Sequence, residues 1–272
     1  MDIKEKTAQN SSLIKSLFEA GAHFGYSRTR RHPSCVPFLY GAKGGTDIID
    51  LEKTCVQLSS ALDAVRECAA KGKTILFVGT KPEAREAVEE TATSLGLPYV
   101  TYRWIGGSLT NFPEIRKRVE RLRTLKTQKE RGDLNVYSKK ERRDMEDETV
   151  RLSRNFGGVS TLDRLPEALF IIDPRHEDIA VTEAKQTGVT VIALANSDCD
   201  VKNLAYPISG NDGARSSITL FLKQVKEAYK EGFDTRARLL KEKEAEDAKN
   251  AANAVAEVAA APAIEKEAFF PA

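Results

Sequence analysis

Continuous apolar runs separated by amphipathic stretches dominate the middle of the chain. The runs at 75–78, 168–172 and 189–194 carry almost no polar residue, which is typical of strands buried on both faces. A third strand candidate, at 97–102, precedes the last two runs. The intervening stretches place apolar residues three and four positions apart, which indicates helices. This alternation predicts an α/β fold built on a doubly wound parallel sheet.

Weaker patterns place further elements around this sheet. Ser11 or Ser12 can cap a first helix that ends near Ala20, before Gly21. The stretch 46–50 is strand-like, is followed by a helical pattern from Glu52, and opens the strand and helix alternation. A short last strand near 206–208 precedes a helix from 214 to about 229.

A helical insertion separates the third and fourth strands. Asn111 can cap a helix whose apolar positions, from Phe112 to Leu125, recur at intervals of three and four residues. A return helix repeats this spacing from Met145 to Phe156, with the reversal at 131–133. The pattern predicts an antiparallel helical hairpin, or coiled coil, with arms of about 30 Å at 1.5 Å per residue.

Positive charge is concentrated in two places. The chain has 272 residues, with 42 Lys or Arg against 40 Asp or Glu. The segment 26–43, named here the N-terminal arm, has four Lys or Arg and no acid, and 103–154 has 15 against 9. Two prolines favour an extended, non-helical arm at 30–37. Such asymmetry is typical of nucleic-acid binding, although glutamates at helical spacing also fit a solvated surface in the second region.

Composition narrows the class of protein. The chain has 41% hydrophobic and 30% charged residues and a mean hydropathy of −0.40. This composition excludes a wholly disordered protein and a membrane-spanning one. No apolar leader follows Met1, so we expect the chain to stay in the compartment where it is made. After 236 the composition turns to Ala, Glu and Lys, which predicts a flexible tail, with an extension of the preceding helix over 241–249 as the alternative.

Candidate catalytic and metal chemistry is sparse. The loop after the first apolar strand, Gly79-Thr80-Lys81-Pro82, lacks the glycine spacing of phosphate-binding loops. His176 beside Asp173 follows a strand, where α/β enzymes place functional groups, so a nucleotide- or sugar-phosphate-binding enzyme remains the alternative. These carboxylates also fit helix caps.

Metal and redox chemistry find little support either. His23, His32 and Cys35 lie among arginines that would repel a cation, and the four cysteines are scattered as ordinary thiols. Trp104, the only tryptophan, is interpreted as a core aromatic at the hairpin base. No cofactor, metal or catalytic residue is expected.

Several sequence blocks resemble one family. They are Leu17-Phe18-Glu19-Ala20-Gly21-Ala22-His23-Phe24-Gly25, Ile48-Ile49-Asp50-Leu51-Glu52-Lys53-Thr54, Ile75-Leu76-Phe77-Val78-Gly79-Thr80-Lys81, Arg103-Trp104-Ile105-Gly106-Gly107-Ser108-Leu109-Thr110-Asn111, Leu165-Pro166-Glu167-Ala168-Leu169-Phe170-Ile171-Ile172-Asp173 and Gly210-Asn211-Asp212. In this order and spacing, over about 12–232, they are similar to bacterial-type ribosomal protein number two of the small subunit.

The resemblance implies a flavodoxin-like domain with a protruding helical hairpin and no catalytic activity. It further implies a structural constituent of the 30S subunit that binds 16S rRNA between head and body, in the cytoplasm or in an organellar ribosome. The implied partners are that RNA and other small-subunit proteins, including the large one that captures messenger RNA. No membrane or small-molecule partner is implied.

Charge and resemblance together give the predicted RNA contacts, mostly to phosphates. They are Arg28, Arg30, Arg31, His32, Lys43, Arg103, Asn111, Arg116, Lys117, Arg121 and Arg143. The predicted organisation is an N-terminal helix and basic arm at 1–45, an α/β domain at 46–110 and 157–232, a hairpin at 111–156 and a flexible tail at 233–272.

Overall fold

The computed structural model describes the backbone of residues 3–259 and the side chains of 11–134 and 136–242. Seven α-helices and eight strands make up this part of the chain. In chain order they are α1 (Ile3–Glu19), β1 (Phe24–Ser27), β2 (Leu39–Lys43), β3 (Thr46–Ile49), α2 (Leu51–Ala70), β4 (Ile75–Val78), α3 (Pro82–Leu95), β5 (Tyr99–Val100), α4 (Phe112–Arg131), α5 (Lys139–Phe156), β6 (Ala168–Ile172), α6 (Asp178–Thr187), β7 (Thr190–Ala195), β8 (Tyr206–Ser209) and α7 (Arg215–Ala259).

The central sheet has five parallel strands in the order β5-β4-β6-β7-β8. Because β5 lies on one side of β4 and β6 on the other, the strand order reverses between β4 and β6. This is the flavodoxin-like order, whose ligand crevice lies at the carboxyl ends of those two strands. The predicted fold class is confirmed.

Alternate side chains of each central strand enter two different cores. Ile75 and Phe77 of β4 and Phe170 of β6 face a core closed by α2, α3 and α7. Leu76 of β4 and Leu169 of β6 face a second core, closed by α4, α5 and α6. Helices therefore cover both faces of the sheet, which explains why its strands are apolar throughout.

The strand-like stretch at 46–50 does not join this sheet. It forms β3, which pairs antiparallel with β1 and β2 in a separate three-stranded sheet, so its predicted place in the strand and helix alternation is wrong. Gly44 and Gly45 connect β2 to β3 with φ of 60° and 81°. A two-residue turn with positive φ at both positions closes a tight hairpin, which keeps β3 beside β2.

The inserted helices α4 and α5 pack against each other and against the sheet. Val119 and Leu122 of α4 and Leu152 and Phe156 of α5 lie in the second core. Two ion pairs join α4 to α5. One is Arg121–Glu148 (3.0 Å), and the other, closer to the reversal of the chain, is Lys129–Glu146. Asn111 stands at the start of α4, but its side chain makes no capping hydrogen bond there.

Both terminal helices are longer than predicted. Helix α1 begins at Ile3, ahead of the predicted Ser11 or Ser12, and α7 continues to Ala259, far past 229. Ala, Glu and Lys favour helix, which accounts for the extension of α7. The predicted tail at 233–259 thus has a helical backbone, whereas its last part, 260–272, lies outside the described residues. No helix within the described range is long and apolar enough to cross a bilayer.

Candidate nucleic-acid interface

The ligand crevice of the sheet is occupied by the protein's own charges. Lys81, just after β4, pairs with Asp173, just after β6, and its Nζ lies 2.7 Å from Oδ2 of Asp212. Asp212 is fully buried and also accepts a hydrogen bond from Asn196 Nδ2 at 2.7 Å. The Lys81 ammonium further donates to Tyr26 Oη at 3.2 Å. This cluster closes the site where related folds bind nucleotides.

The charges of Lys81, Asp173 and Asp212 shift one another's pKa values. Burial works against the Lys81 ammonium, but the carboxylates of Asp212 and Asp173 outweigh it and raise the pKa of Lys81. Burial, and then the neighbouring Asp173 charge, raise the pKa of Asp212 to about 6. Burial opposes the Asp173 charge, yet its bond to Lys81 lowers its pKa. Lys81 therefore pairs with two buried carboxylates and offsets part of their negative charge.

The N-terminal arm is fastened across this edge of the sheet. The Tyr26 backbone N–H donates to Ser197 Oγ at 2.9 Å, and the His32 N–H donates to the Ser197 carbonyl at 2.9 Å. Ser34 Oγ accepts the Val201 N–H at 3.1 Å. These contacts to the loop after β7 fix the course of the arm.

The predicted extended course of the arm is wrong. It contains two 3-10 turns, Arg28–Arg30 and Pro33–Phe38. Pro33 occupies the first position of the second turn, where its lack of an N–H costs nothing, and His32 Nδ1 accepts the Ser34 N–H at 3.3 Å. Pro33 therefore begins a turn, with Pro37 inside it, that places Cys35 in the second core.

The predicted RNA contacts in the arm have two different environments. Arg31 Nε donates to Oδ2 of the buried Asp47 at 2.8 Å, and a second bond joins its Nη2 to Oδ1. Arg28, Arg30 and Lys43 are exposed, and no ion pair engages them within the described part of the chain. Arg31 thus holds the arm against β3, whereas the other three cations face solvent.

One groove brings together three of these residues. Arg30, Arg31 and His32 line a cleft of about 550 Å³ together with Arg175. His32 is half-buried: its Nδ1 lies 2.7 Å from Ser34 Oγ and 3.9 Å from an Asp200 carboxylate oxygen. The groove has carboxylates as well as cations in its wall, so it is less positive than the outer side of the arm.

The hairpin cations also divide into paired and unpaired groups. Lys117 lies 2.6 Å from the Glu114 carboxylate, and Arg121 of α4 pairs with Glu148 of α5. Arg116 and Arg143 are exposed, with no ion pair to any described carboxylate. Counting Lys and Arg against Asp and Glu over 103–154 therefore overstates the positive charge that is available to a partner.

Arg103 and Asn111 lie at the hairpin base. Arg103 and Arg116 line one small, mostly apolar cavity together with Phe112. Asn111 is exposed, and its backbone N–H donates to the Gly107 carbonyl at 2.9 Å. The structure thus groups Arg103 with the hairpin.

A buried glutamate that sequence reasoning missed organises this base. Glu183 of α6 accepts the indole N–H of Trp104 at 3.1 Å and the backbone N–H groups of Gly107 and Leu109 at 2.8 and 2.9 Å. The prediction that Trp104 is a core aromatic is confirmed, since it is 6% exposed. A charged residue in an amphipathic helix gives no sequence signal of such a role.

The residues considered for catalysis or metal binding are otherwise engaged. His176 is exposed, and its backbone N–H donates to the Asp173 side chain at 3.2 Å, as in a helix-start turn. Burial raises the pKa of the Cys35 thiol to about 11, which keeps it protonated and unreactive at neutral pH. The described side chains include no cluster of three metal-ligating residues.

Comparisons with known proteins place these features in a family. The family model described as Ribosomal protein S2 matches residues 17–232. A protein of Bdellovibrio bacteriovorus named small ribosomal subunit protein uS2 is 41% identical over 88% of this chain and 77% of its own length. A protein of the same name from a Roseiflexus species is 43% identical over 85% of this chain and 88% of its own length. Another, from Chloroflexus aurantiacus, is 44% identical over 83% of this chain and 94% of its own length. The chain belongs to the ribosomal protein S2 family.

Proposed function

We propose that this chain is a structural constituent of the small ribosomal subunit and binds 16S rRNA between head and body, mainly through phosphates. Family membership and the name of the relatives support the ribosomal role. The observation that supports the mode of binding is the set of exposed cations without carboxylate partners in the described structure. They are Arg28, Arg30, Lys43, Arg103, Arg116 and Arg143.

The arm is suited to this task because it is fixed before binding. Its backbone bonds to Ser197 and the Arg31–Asp47 pair leave little disorder to be lost in a complex. Arg28, Arg30 and Lys43 then project from a fixed frame. Each phosphate that they neutralise releases a counterion, so the binding depends on salt. Such contacts orient the protein on RNA and read no base sequence.

A structural, non-enzymatic role fits the crevice of the sheet as well. Lys81, which could have held a phosphate, is bonded to Asp173 and Asp212 instead. The arm lies over the same edge through Tyr26, whose hydroxyl accepts from Lys81. The enzyme alternative would require this ion cluster to open, so the geometry does not favour it.

The family resemblance supports a wider set of partners. Within the cytoplasmic ribosome, the chain would contact other small-subunit proteins and help to seat the large one that captures messenger RNA. The hairpin, with its exposed outer surface and buried seam, is a rigid element that can serve RNA and protein contacts together.

Co-sedimentation with small ribosomal subunits tests this function. The full chain is incubated with subunits that lack it and is centrifuged in moderate salt. We expect it to pellet with the particles, and we expect less of an Arg28→Gln/Arg30→Gln/Lys43→Gln variant to do so. Lys73→Gln, at an exposed lysine before the amino end of β4, removes one charge outside the arm and is the control for each of the three substitutions made singly. A chain that stays in the supernatant but is thermally stabilised by nucleotides would support the enzyme alternative.

A further inference from the structure

A second cationic cleft lies beside the edge strand β5, and none of the predicted RNA contacts is among the residues that line it. It has a volume of about 490 Å³ and is bounded by α3, by the start of the loop after β5 and by the end of α5. The charged and aromatic side chains in its wall are Arg85, Glu89, Tyr99, Tyr102, Lys126 and Arg154. Ser153, Asn155 and two glycines complete a polar wall.

The cations of this cleft have unused hydrogen-bond donors. Among the described residues, Arg85 donates only through its Nε, to the Thr80 carbonyl at 3.0 Å, so both of its Nη groups remain available. Lys126 and Arg154 are exposed and pair with no carboxylate in the described structure. The one acid in the wall, Glu89, accepts the Tyr99 hydroxyl at 3.0 Å. The cleft therefore has three positive groups against one negative group.

The ring of Tyr102 fixes the two arginines. The Cζ atom of Arg154 lies 3.4 Å from the ring centroid, and that of Arg85 lies 5.3 Å from it. A guanidinium that stacks on an aromatic ring keeps the N–H groups of its edge free and loses rotational freedom before a ligand arrives. Each stacked guanidinium presents its own fork of N–H groups, and one such fork matches two oxygens of a phosphate.

We infer that this cleft binds a backbone phosphate of ribosomal RNA, with Arg154 and Arg85 as hydrogen-bond donors and Lys126 as an additional charge. The inference rests on the proposed ribosomal function. A nucleobase is a poorer occupant, because Arg154 already lies at stacking distance on the Tyr102 ring. Tyr102 is a positioning residue, since it acts through the two arginines.

Equilibrium binding of the full chain to small-subunit RNA at several salt concentrations tests this site. Each lost phosphate contact reduces the slope of log affinity against log salt by about 0.7 to 0.9. We expect that reduction for Arg154→Gln and for Arg85→Gln, and none for Lys73→Gln. Tyr102→Leu should weaken binding, whereas Tyr102→Phe should restore it, because the ring and not the hydroxyl orients the arginines.

The outcomes separate this site from the proposed function. If the wild type binds RNA normally and the salt slopes of both arginine variants are unchanged, the inference that the cleft binds phosphate is wrong and the proposed function still stands. A wild type that does not bind the RNA would overturn both. Thermal melts establish that each variant is folded, and Arg154→Met, which also removes the charge, replaces Arg154→Gln if that variant does not fold.

A free phosphate is the other source of the same chemistry. Thermal melts of the chain with inorganic phosphate distinguish the two sources. If inorganic phosphate stabilises the wild type and not Arg154→Gln, while the RNA slope of that variant is unchanged, the cleft binds a free anion and the inference is wrong. A reduced RNA slope without such stabilisation supports the RNA phosphate.

Discussion

The carboxylate of Glu183 accepts the indole N–H of Trp104 across 3.1 Å, in a position where both side chains are less than 7% exposed. The same carboxylate accepts the backbone N–H groups of Gly107, Leu109 and Thr110. Helix α6 is thereby joined to the loop that leads into α4. One buried negative charge thus fixes the base from which the hairpin extends.

Replacing this carboxylate with an amide should destabilise the protein. In Glu183→Gln the amide nitrogen would face N–H donors that now bond to an oxygen, so at least one buried donor would lose its partner. The expected loss is about 1 to 3 kcal/mol in the free energy of unfolding, measured with urea. Glu90→Gln, at an exposed glutamate of α3, should change it by less than about 0.5 kcal/mol. Equal effects of the two substitutions would show that the Glu183 bonds contribute nothing specific.

The stability of this base should also depend on acid. Burial opposes the Glu183 charge, but the backbone N–H groups of Leu109 and Gly107 outweigh it, so its pKa is lowered. A lowered pKa means that the stabilisation is complete above the ordinary glutamate pKa of about 4.3 and is lost as pH falls through the native value. Urea midpoints of the wild type between pH 7 and pH 3 should fall more steeply than those of Glu183→Gln. Parallel curves would contradict this assignment.

Lys81→Met should be among the most destabilising single substitutions. It would leave Asp173 and Asp212 buried without their cation, at a cost of about 3 to 5 kcal/mol in the free energy of unfolding. Lys81→Met/Asp212→Asn removes one of the two stranded charges, so the double variant should be more stable than the single one. A double variant that is less stable would show that the three groups do not act as one ion cluster.

Gly158 is expected to tolerate no side chain. A Cβ atom there would lie 2.3 Å from the Tyr99 carbonyl oxygen, which belongs to the backbone of β5 and cannot rotate away. Gly158→Ala should therefore cost about 1 to 3 kcal/mol and lower the melting temperature. Gly106→Ala is the control, because a Cβ at Gly106 has no atom within 4 Å. Similar melting temperatures for the two variants would contradict the close approach of the chain at Gly158.

The spacing of apolar residues predicted where the helices and strands of this fold lie better than it predicted which strands pair with each other. The runs at 75–78 and 168–172 are continuously apolar and short, as is typical of strands that are buried on both faces. The same logic could not assign β3, whose sheet is decided by the turn before it. Gly44-Gly45 was the available signal, since this dipeptide between short strands is typical of a tight hairpin.

The candidate site was predictable in charge but not in pairing. Counting charges along the arm treats every cation as free, yet Arg31 is bonded to Asp47, sixteen residues later in β3. The partners of Lys81 lie 92 and 131 positions away, at the ends of strands that only the folded sheet brings together. Long-range pairs of this kind leave no local pattern, so one sequence alone does not reveal them.

A structure of the small ribosomal subunit containing this chain tests the central claim most directly. We predict that the side-chain nitrogens of Arg28, Arg30, Lys43, Arg116 and Arg143 lie within about 3.2 Å of phosphate oxygens of the 16S rRNA, at charge-assisted hydrogen-bond distance. Most of these nitrogens facing solvent, with the RNA contacted through other surfaces of the chain, would contradict the account.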